Sequence, residues 1–186
     1  MTSIDSKQAF EALGEINEMV RRVRQSRIYD LASKMMILSG IVVGAGNLAN
    51  WAWPYYGGPI WISVNVLNVV VCATVSVFGY RRAGLQVFDG RTLAAVLLFF
   101  AFGTFCSAVL GHFTPRQMGA FWPIYFMLFY MLAGLWVGHA FTAIGLGITA
   151  LTLIGYFFIG GFAFLLWMAV VNGGGLVVGG LWMRRS

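Results

Sequence analysis

The sequence predicts an all-α integral membrane protein, built as a bundle of six transmembrane helices with an amphipathic helix at its N-terminus. The 186 residues are 60% hydrophobic and only 10% charged, which is too little charge to cover a soluble domain of that size. The apolar residues are gathered in long runs, and the basic residues are concentrated beside and between those runs.

The lengths of the apolar runs predict six crossings. About 20 residues of helix cross ~30 Å of hydrocarbon, and three runs of that kind cover residues 31–53, 59–80 and 92–111. No Asp, Glu, Lys or Arg lies between Arg116 and Arg184, a length that fits about three more crossings. Glycines in the stretches 134–139 and 155–161 predict turns, so the last three spans are placed at 118–137, 140–156 and 160–183. Consecutive spans would then form three helical hairpins.

The basic residues predict the orientation. With the N-terminus in the cytoplasm, six crossings leave Arg116 as the only basic residue outside. The basic residues of the N-terminal segment, of the loop at 81–91 and of the C-terminus then all lie inside, which is the positive-inside pattern. We therefore expect a multi-pass protein of the cell (inner) membrane with both termini in the cytoplasm.

Residues 1–34 are expected to form a cytoplasmic or interfacial amphipathic helix ahead of a transmembrane domain at 35–186. Its apolar stripe recurs at helical spacing and comprises Phe10, Leu13, Ile16, Val20 and Val23. Four arginines just before the first span are expected to contact anionic lipid headgroups: Arg21, Arg22, Arg24 and Arg27. The alternative is a docking helix for a cytoplasmic partner or a second copy. Nucleic acid is not expected, because the basic run is short and carries no aromatic residues for base stacking.

The positions of the ionisable residues argue against an enzyme. No Asp, Glu, Lys or Arg lies in the middle of a predicted span, where such groups usually mark proton relays or substrate sites. His112 and His139 are predicted at opposite membrane surfaces, so they cannot share a metal ion. Cys72 and Cys106 differ in predicted depth by more than a disulfide allows. We therefore expect no catalytic residue, no metal ion and no cofactor.

Asparagines supply the main polar side chains of the predicted spans. Asn47 and Asn65 are expected at similar depth on antiparallel neighbours, where a hydrogen bond between them would hold the helices together by about 0.6 to 2 kcal/mol. The alternative is a small polar cavity opening outward, lined by Asn47, Asn65, Asn68 and Asn172 together with Ser63.

Glycines form small-xxx-small (GxxxG) pairs, which let helix backbones approach closely in lipid. The pairs are Gly40 with Gly44, Gly134 with Gly138, and Gly175 with Gly179. The stretch "NGGG" at 172–175 goes further, because each glycine costs about 1 kcal/mol relative to alanine in a helix interior. We interpret it as a packing face. The alternative is a local kink or unwinding, such as transporters use at substrate sites.

These features favour a non-enzymatic accessory, sensory or assembly component that acts through helix–helix contacts. It is expected to work in the bilayer as a homo-oligomer or with a membrane partner subunit, using the glycine faces of spans one and six. The alternative function is a small transporter or channel for a neutral or small solute. It would use the asparagine-lined outer half of the bundle and a glycine-broken sixth helix.

Overall fold

The computed structural model describes residues 6–83 and 90–185, without the side chains at 79–83, at 90–93 and at several positions between 6 and 27. The described residues form helices and short turns, with no β-strand among them. Within the described residues, five helical stretches are long and apolar enough to cross a membrane: Ile28–Ala52, Pro54–Phe78, Pro115–Val137, His139–Phe158 and Ala163–Arg185. An all-α, multi-pass membrane protein is thus the class that the structure supports.

The third predicted span, 92–111, corresponds to the shortest apolar helix. Helix α3 (Gly90–Thr104) continues into a π-helical turn at Phe105–Leu110, and the apolar part, Ala94–Leu110, is shorter than the other five stretches. At 1.5 Å per residue this part measures roughly 26 Å, near the lower limit for a crossing. The sixth crossing therefore stays a prediction.

The first helix is much longer than a membrane span. Helix α1 (Ser6–Ala52) has 47 residues and is roughly 70 Å long at the α-helical rise. Only its second part, Ile28–Ala52, has the composition of a span. The predicted boundary between residues 34 and 35 is therefore not a break in the structure, since the N-terminal segment and the first span belong to one helix. An ion pair between Lys34 and Asp30 (2.6 Å) bridges one turn near the start of the span.

The remaining helices follow the predicted turns to within a few residues. Helix α2 is Gly57–Ala83, α4 is Pro115–Val137, α5 is His139–Phe158, α6 is Ala163–Met168 and α7 is Gly175–Arg185. A π-helical turn at Ala169–Gly174 joins α6 to α7 without interrupting the helix, and we refer to Ala163–Arg185 as the last helix. The chain turns within both expected stretches, 134–139 and 155–161, and the turns contain the positive-φ glycines Gly138 (153°) and Gly161 (59°).

Helix α4 shows why its first turn forms where it does. The Thr114 hydroxyl accepts a hydrogen bond from the backbone N–H of Gln117, and the Gln117 side-chain oxygen accepts one from the backbone N–H of Thr114. This reciprocal capping box satisfies donors that have no partner within the helix. Pro115, whose ring lacks an N–H, occupies the first helical position, where none is needed.

Contacts between neighbouring helices define their directions. The Ser33 hydroxyl donates to the Gly180 carbonyl (2.7 Å), and Gly44, further along α1, lies against Gly173. Helix α1 and the last helix are therefore antiparallel, and the C-terminal arginines lie at the same end of the bundle as the start of the first span. An even number of crossings requires this arrangement.

The last helix occupies the centre of the bundle, between α1 and α5. Half of its most apolar stretch is buried inside the chain (50%), against 6% for α2. The core around it is formed by Met36, Met127, Phe141, Ile144, Ile148, Val171, Leu176 and Met183. Helix α2 packs mainly on α1, while α3 is attached to α4 by aromatic side chains, with Phe99 stacked on Tyr125 at 4.2 Å between ring centroids. Close pairs include α1 with the last helix as well as α4 with α5, so a grouping into three hairpins is not confirmed.

Arg116 joins three helix ends. Its guanidinium donates to the backbone carbonyls of Tyr156 and Ile159 (2.6 Å for Ile159), which have no partner within α5 because they lie at its C-terminus. The same group lies 5.3 Å from the ring centroid of Tyr156 and 5.4 Å from that of Phe164. The start of α4 is thereby held against the end of α5 and the start of α6.

We expect Arg116→Ala to lower the free energy of unfolding by about 1 to 2 kcal/mol, since hydrogen bonds to a charged donor are lost. Arg116→Lys should recover only part of this, because an ammonium group lacks the planar fork that reaches two carbonyls. Unfolding titrations in mixed detergent micelles measure both, with Arg184→Ala as the control. Equal stability of Arg116→Ala and the wild type would contradict the assignment.

Candidate functional site

The candidate site is the crossing of the last helix with α1 and α5. We call it the glycine crossing, and it comprises Gly40 and Gly44 of α1 with Gly173, Gly175, Gly179 and Gly180 of the last helix. Successive residues of a helix point about 100° apart, so neighbouring glycines of one run serve different faces. The structure shows which face each of them serves.

The face towards α1 is a backbone-to-backbone contact. A Cβ added at Gly173 would lie 2.6 Å from the Cα of Gly44, and one added at Gly40 would lie 2.7 Å from the carbonyl oxygen of Gly173. Real Cβ atoms do not approach other atoms so closely, so only glycine permits this separation of the helices. Within a bilayer, apolar side chains gain nothing by moving from lipid to a protein interface. Such close van der Waals contact is therefore a main source of helix association.

The face towards α5 is filled by isoleucine side chains. A Cβ at Gly175 would lie 3.1 Å from Ile148, and one at Gly179 would lie 3.0 Å from Ile144. Gly174 faces neither neighbour, because a Cβ there would meet nothing within 4 Å. The central helix thus has a smooth face for each of its two neighbours, with Gly173 on the side of α1 and Gly175 on the side of α5.

The glycine run begins in the π-helical turn at Ala169–Gly174 and ends at Gly175, the first residue of α7, so it is not an unwound segment. In place of the kink or unwinding considered as the alternative, the structure has a local change of helix type, with the helix continuing on both sides. Asn172 is buried in this turn, and its amide nitrogen lies 3.6 Å from the sulfur of Met168, a weak acceptor. Turns of this kind occur often at functional sites.

Two threonines of α5 add to the polar character of the same region. The hydroxyls of Thr149 and Thr152 are buried without a hydrogen-bond partner within the described part of the chain. Because Ile148 faces Gly175 and the two helices are antiparallel, Thr152 lies level with the π-helical turn. A buried hydroxyl without a partner costs about 1 to 3 kcal/mol. We call Thr149, Thr152 and Asn172 the polar level of the bundle.

The other three predicted amides are bonded within their own helices. Asn47 donates to Val43 (3.0 Å), Asn65 to Trp61 (2.8 Å) and Asn68 to Val64 (3.3 Å), each to the carbonyl four residues earlier. Asn47 is buried and Asn65 is exposed. The expected bond between Asn47 and Asn65 is not among the described contacts, and the two amides do not share a common environment.

The pair Gly134 and Gly138 corrects one prediction. Gly134 is buried in α4 against Thr142 of α5, but Gly138 is not part of a helix. It forms the turn between α4 and α5 with φ of 153°, a conformation that other residues rarely adopt. Its role is therefore to turn the chain, and only Gly134 contributes to helix packing.

Several other predicted residues lie away from the crossing. The side chains of Arg21, Arg22, Arg24 and Arg27 fall outside the described side chains, so their contact with headgroups stays a prediction. Cys72 and Cys106 are free thiols. Among the described residues no group of three or more His, Cys, Asp or Glu side chains could hold a metal ion.

Trp167 belongs to the packing of the last helix, although its contacts were not predicted. Its indole N–H donates to the carbonyl of Leu151 (2.9 Å), and its ring lies directly on Gly155, where any Cβ would clash. The one sequence feature that marks it is its position well inside an apolar run, away from the membrane surface that tryptophan favours.

An open apolar groove of about 280 Å³ runs along the outside of α5 and α7. Glycines leave room for it, and Leu151, Val178 and Trp182 contribute to its walls. Its described lining has no charged, hydroxyl or amide side chain, so it is distinct from the polar level and is suited to contact with apolar groups such as acyl chains.

Comparison with protein families, with curated proteins and with solved structures finds no match for this chain.

Substituting the central glycines tests the crossing. We expect Gly173→Ala to lower the free energy of unfolding by about 1 to 3 kcal/mol, because its methyl group would push α1 and the last helix apart. Gly174→Ala is the matched control, since its methyl group meets open space, and it should leave stability unchanged or raise it by up to ~1 kcal/mol. Unfolding titrations in micelles compare the two variants. Equal effects of both would show that the crossing does not depend on close approach.

Proposed function

We propose that this chain is a non-enzymatic accessory component of the cell (inner) membrane that recruits a cytoplasmic protein through its N-terminal arm, residues 6–27. The transmembrane bundle anchors the arm, with six crossings and both termini in the cytoplasm. The observation that carries the proposal is a row of exposed apolar side chains on a helix that continues beyond the first span.

The exposed row consists of Met19 and four of the five residues of the predicted apolar stripe; the fifth, Val20, falls outside the described side chains. Leu13 is 60% exposed and Ile16 is 55% exposed, and Phe10, Met19 and Val23 are exposed as well. A helix with an uncovered apolar stripe favours insertion into an apolar groove or pairing with another helix, because both remove the stripe from water.

The length of α1 favours a protein partner over the bilayer surface. The arm and the first span form one helix, and Phe10 lies 18 residues before Ile28, or about 27 Å along the helix. An interfacial helix inserts its apolar face only about 5 to 10 Å deep and lies in the plane of the membrane. A helix that continues directly from a span carries its distal residues away from that plane.

The distribution of charge supports the orientation. The C-terminal arginines lie at the same end of the bundle as the start of the first span, while Arg116 lies at the other end, beside Ile159. The arginines at 21–27 directly precede Ile28, at the level where anionic headgroups attract basic residues by about 1 kcal/mol each. A cytoplasmic arm is therefore consistent with the positive-inside pattern.

Charged substitutions in the stripe test the recruitment. In the chain reconstituted in nanodiscs, Leu13→Glu with Ile16→Glu should reduce the retention of a specific cytoplasmic protein at least tenfold, because two carboxylates would have to be desolvated in the contact. Gly14→Ala is the control, since a Cβ there meets nothing within 4 Å. Retention that does not differ among wild type and both variants would refute recruitment by the arm.

A spin label at Leu13 tests whether the apolar stripe of the arm lies in water or in the bilayer. If the arm projects from the membrane, a label in nanodiscs without partner should be accessible to a water-soluble relaxation agent and not to a lipid-soluble one. A label buried among acyl chains would instead assign the stripe to the bilayer.

A second candidate function is passage of a small neutral solute through the polar level. The unpartnered hydroxyls of Thr149 and Thr152 next to the π-helical turn favour it, since interrupted helices form substrate sites in transporters. The absence of charged residues from this region excludes a charged counter-group for the solute.

Flux into liposomes tests this alternative. If the polar level binds a solute, Asn172→Leu and Thr152→Val should each reduce the flux of a panel of small neutral solutes at least tenfold. Thr74→Val should leave it unchanged, because the Thr74 hydroxyl is exposed and bonded to its own helix. If liposomes with the wild-type chain take up no solute faster than protein-free liposomes, the transport alternative is refuted and recruitment remains the proposed function.

A further inference from the structure

Helix α2 is the least buried of the five full-length candidate spans. Only 6% of its most apolar stretch is buried inside the chain, and it packs on α1 along a single side. Val64 is buried there against Gly46, and Ser39 of α1 lies beside Cys72, 3.9 Å from oxygen to sulfur. The rest of the α2 surface faces outward along the length of a membrane span.

The outward side of α2 combines β-branched side chains with an amide. Ile62, Val66 and Val69 are each more than half exposed. Asn65 is exposed beside them, and one N–H of its amide donates to the carbonyl of Trp61 (2.8 Å). The second N–H and the carbonyl oxygen of this amide make no hydrogen bond among the described residues.

The depth of Asn65 within the membrane span makes the unbonded N–H and carbonyl oxygen of its amide costly. Asn65 lies 11 residues after Pro54, the start of the span, which is roughly 17 Å along a helix. In hydrocarbon no water is available to bond the amide, and each unsatisfied polar group costs several kcal/mol. The polar neighbours Ser63 and Thr74 differ, because each donates its hydroxyl hydrogen to its own helix.

We propose that the outward side of α2, centred on Asn65 and formed with Ile62, Val66 and Val69, is the interface between two copies of this chain. An amide is both donor and acceptor, so two Asn65 side chains facing each other across a two-fold axis satisfy one another. Two copies in one membrane also carry Asn65 at the same depth, as such a pair requires.

The glycine crossing indirectly supports this location. The glycine faces of α1 and the last helix, from which an oligomer was first expected, are in contact with each other inside one chain. Oligomer contacts then have to use another surface, and α2 offers a long, unoccupied one. The inference is independent of the recruitment proposed for the arm, because no residue of the arm belongs to the proposed interface on α2.

Cross-linking in membranes tests the interface. In a background of Cys72→Ala and Cys106→Ala, Val69→Cys should form covalent dimers with a short thiol-specific cross-linker in liposomes that contain only the purified chain. Leu97→Cys on α3 is the control, since Leu97 is similarly exposed but lies on a different helix. Equal yields of dimer at the two positions would overturn the proposal, and so would a Val69 product that forms only with another polypeptide in native membranes.

Substitution of the amide tests its role. Energy transfer between labelled copies in liposomes should show association about 3- to 30-fold weaker for Asn65→Leu, the range expected for one hydrogen-bonding contact between membrane helices. Asn65→Gln should recover part of the loss, and Thr74→Val should behave as the wild type. An Asn65→Leu chain that unfolds at the same denaturant concentration as the wild type and associates equally well would overturn the proposal.

Discussion

The direct contact between the backbones of Gly44 and Gly173 determines how this bundle is assembled. In a bilayer, hydrophobic side chains gain nothing by leaving lipid for a protein core, so helices associate through close van der Waals contact and hydrogen bonds. The first and last helices achieve both, since the glycines bring the backbones together and the Ser33 hydroxyl bonds the Gly180 carbonyl across the same contact. The start of the first span and the C-terminal arginines are thereby held at one end of the bundle, and the last helix can present its other face to α5.

The same contact explains the distribution of polar groups. A helix enclosed by two neighbours can carry Asn172 away from lipid, and Thr152 of α5 lies at the same level. Helix α2, with one neighbour, has no comparable shelter. Ser63, Asn65 and Thr74 of α2 bond to carbonyls of their own helix, and Asn65 keeps hydrogen-bonding capacity that the described residues do not use. Asn172 thus belongs to an internal polar level, whereas Asn65 lies on the outer side of α2, where we propose that two copies associate.

Under the proposed function, anchoring and recruitment use different surfaces of the chain. The bundle uses its glycine faces internally, whereas the arm of α1 and the outer side of α2 remain uncovered in the single chain. The first surface lies along the extension of a span and is suited to a protein in the aqueous phase. The second lies within the span and is suited to another membrane helix. If both proposals hold, the chain would join a partner outside the membrane to a second copy of itself within it.

The sequence alone determined the membrane class, the places where the chain turns and the gathering of basic residues, because bilayer thickness and the cost of burying charge act on each segment separately. It also identified Gly40, Gly44, Gly175 and Gly179 as residues suited to close packing. Only the tertiary structure decided what each of them contacts. A GxxxG pattern predicts a face of small residues on a helix, but it does not identify the helix that packs against this face. The same holds for Asn47 and Asn65, whose depth follows from the sequence while their direction depends on neighbours. Gly138 shows the remaining limit, because a glycine at a helix end suits a packing face and a turn equally well until the next helix is in place.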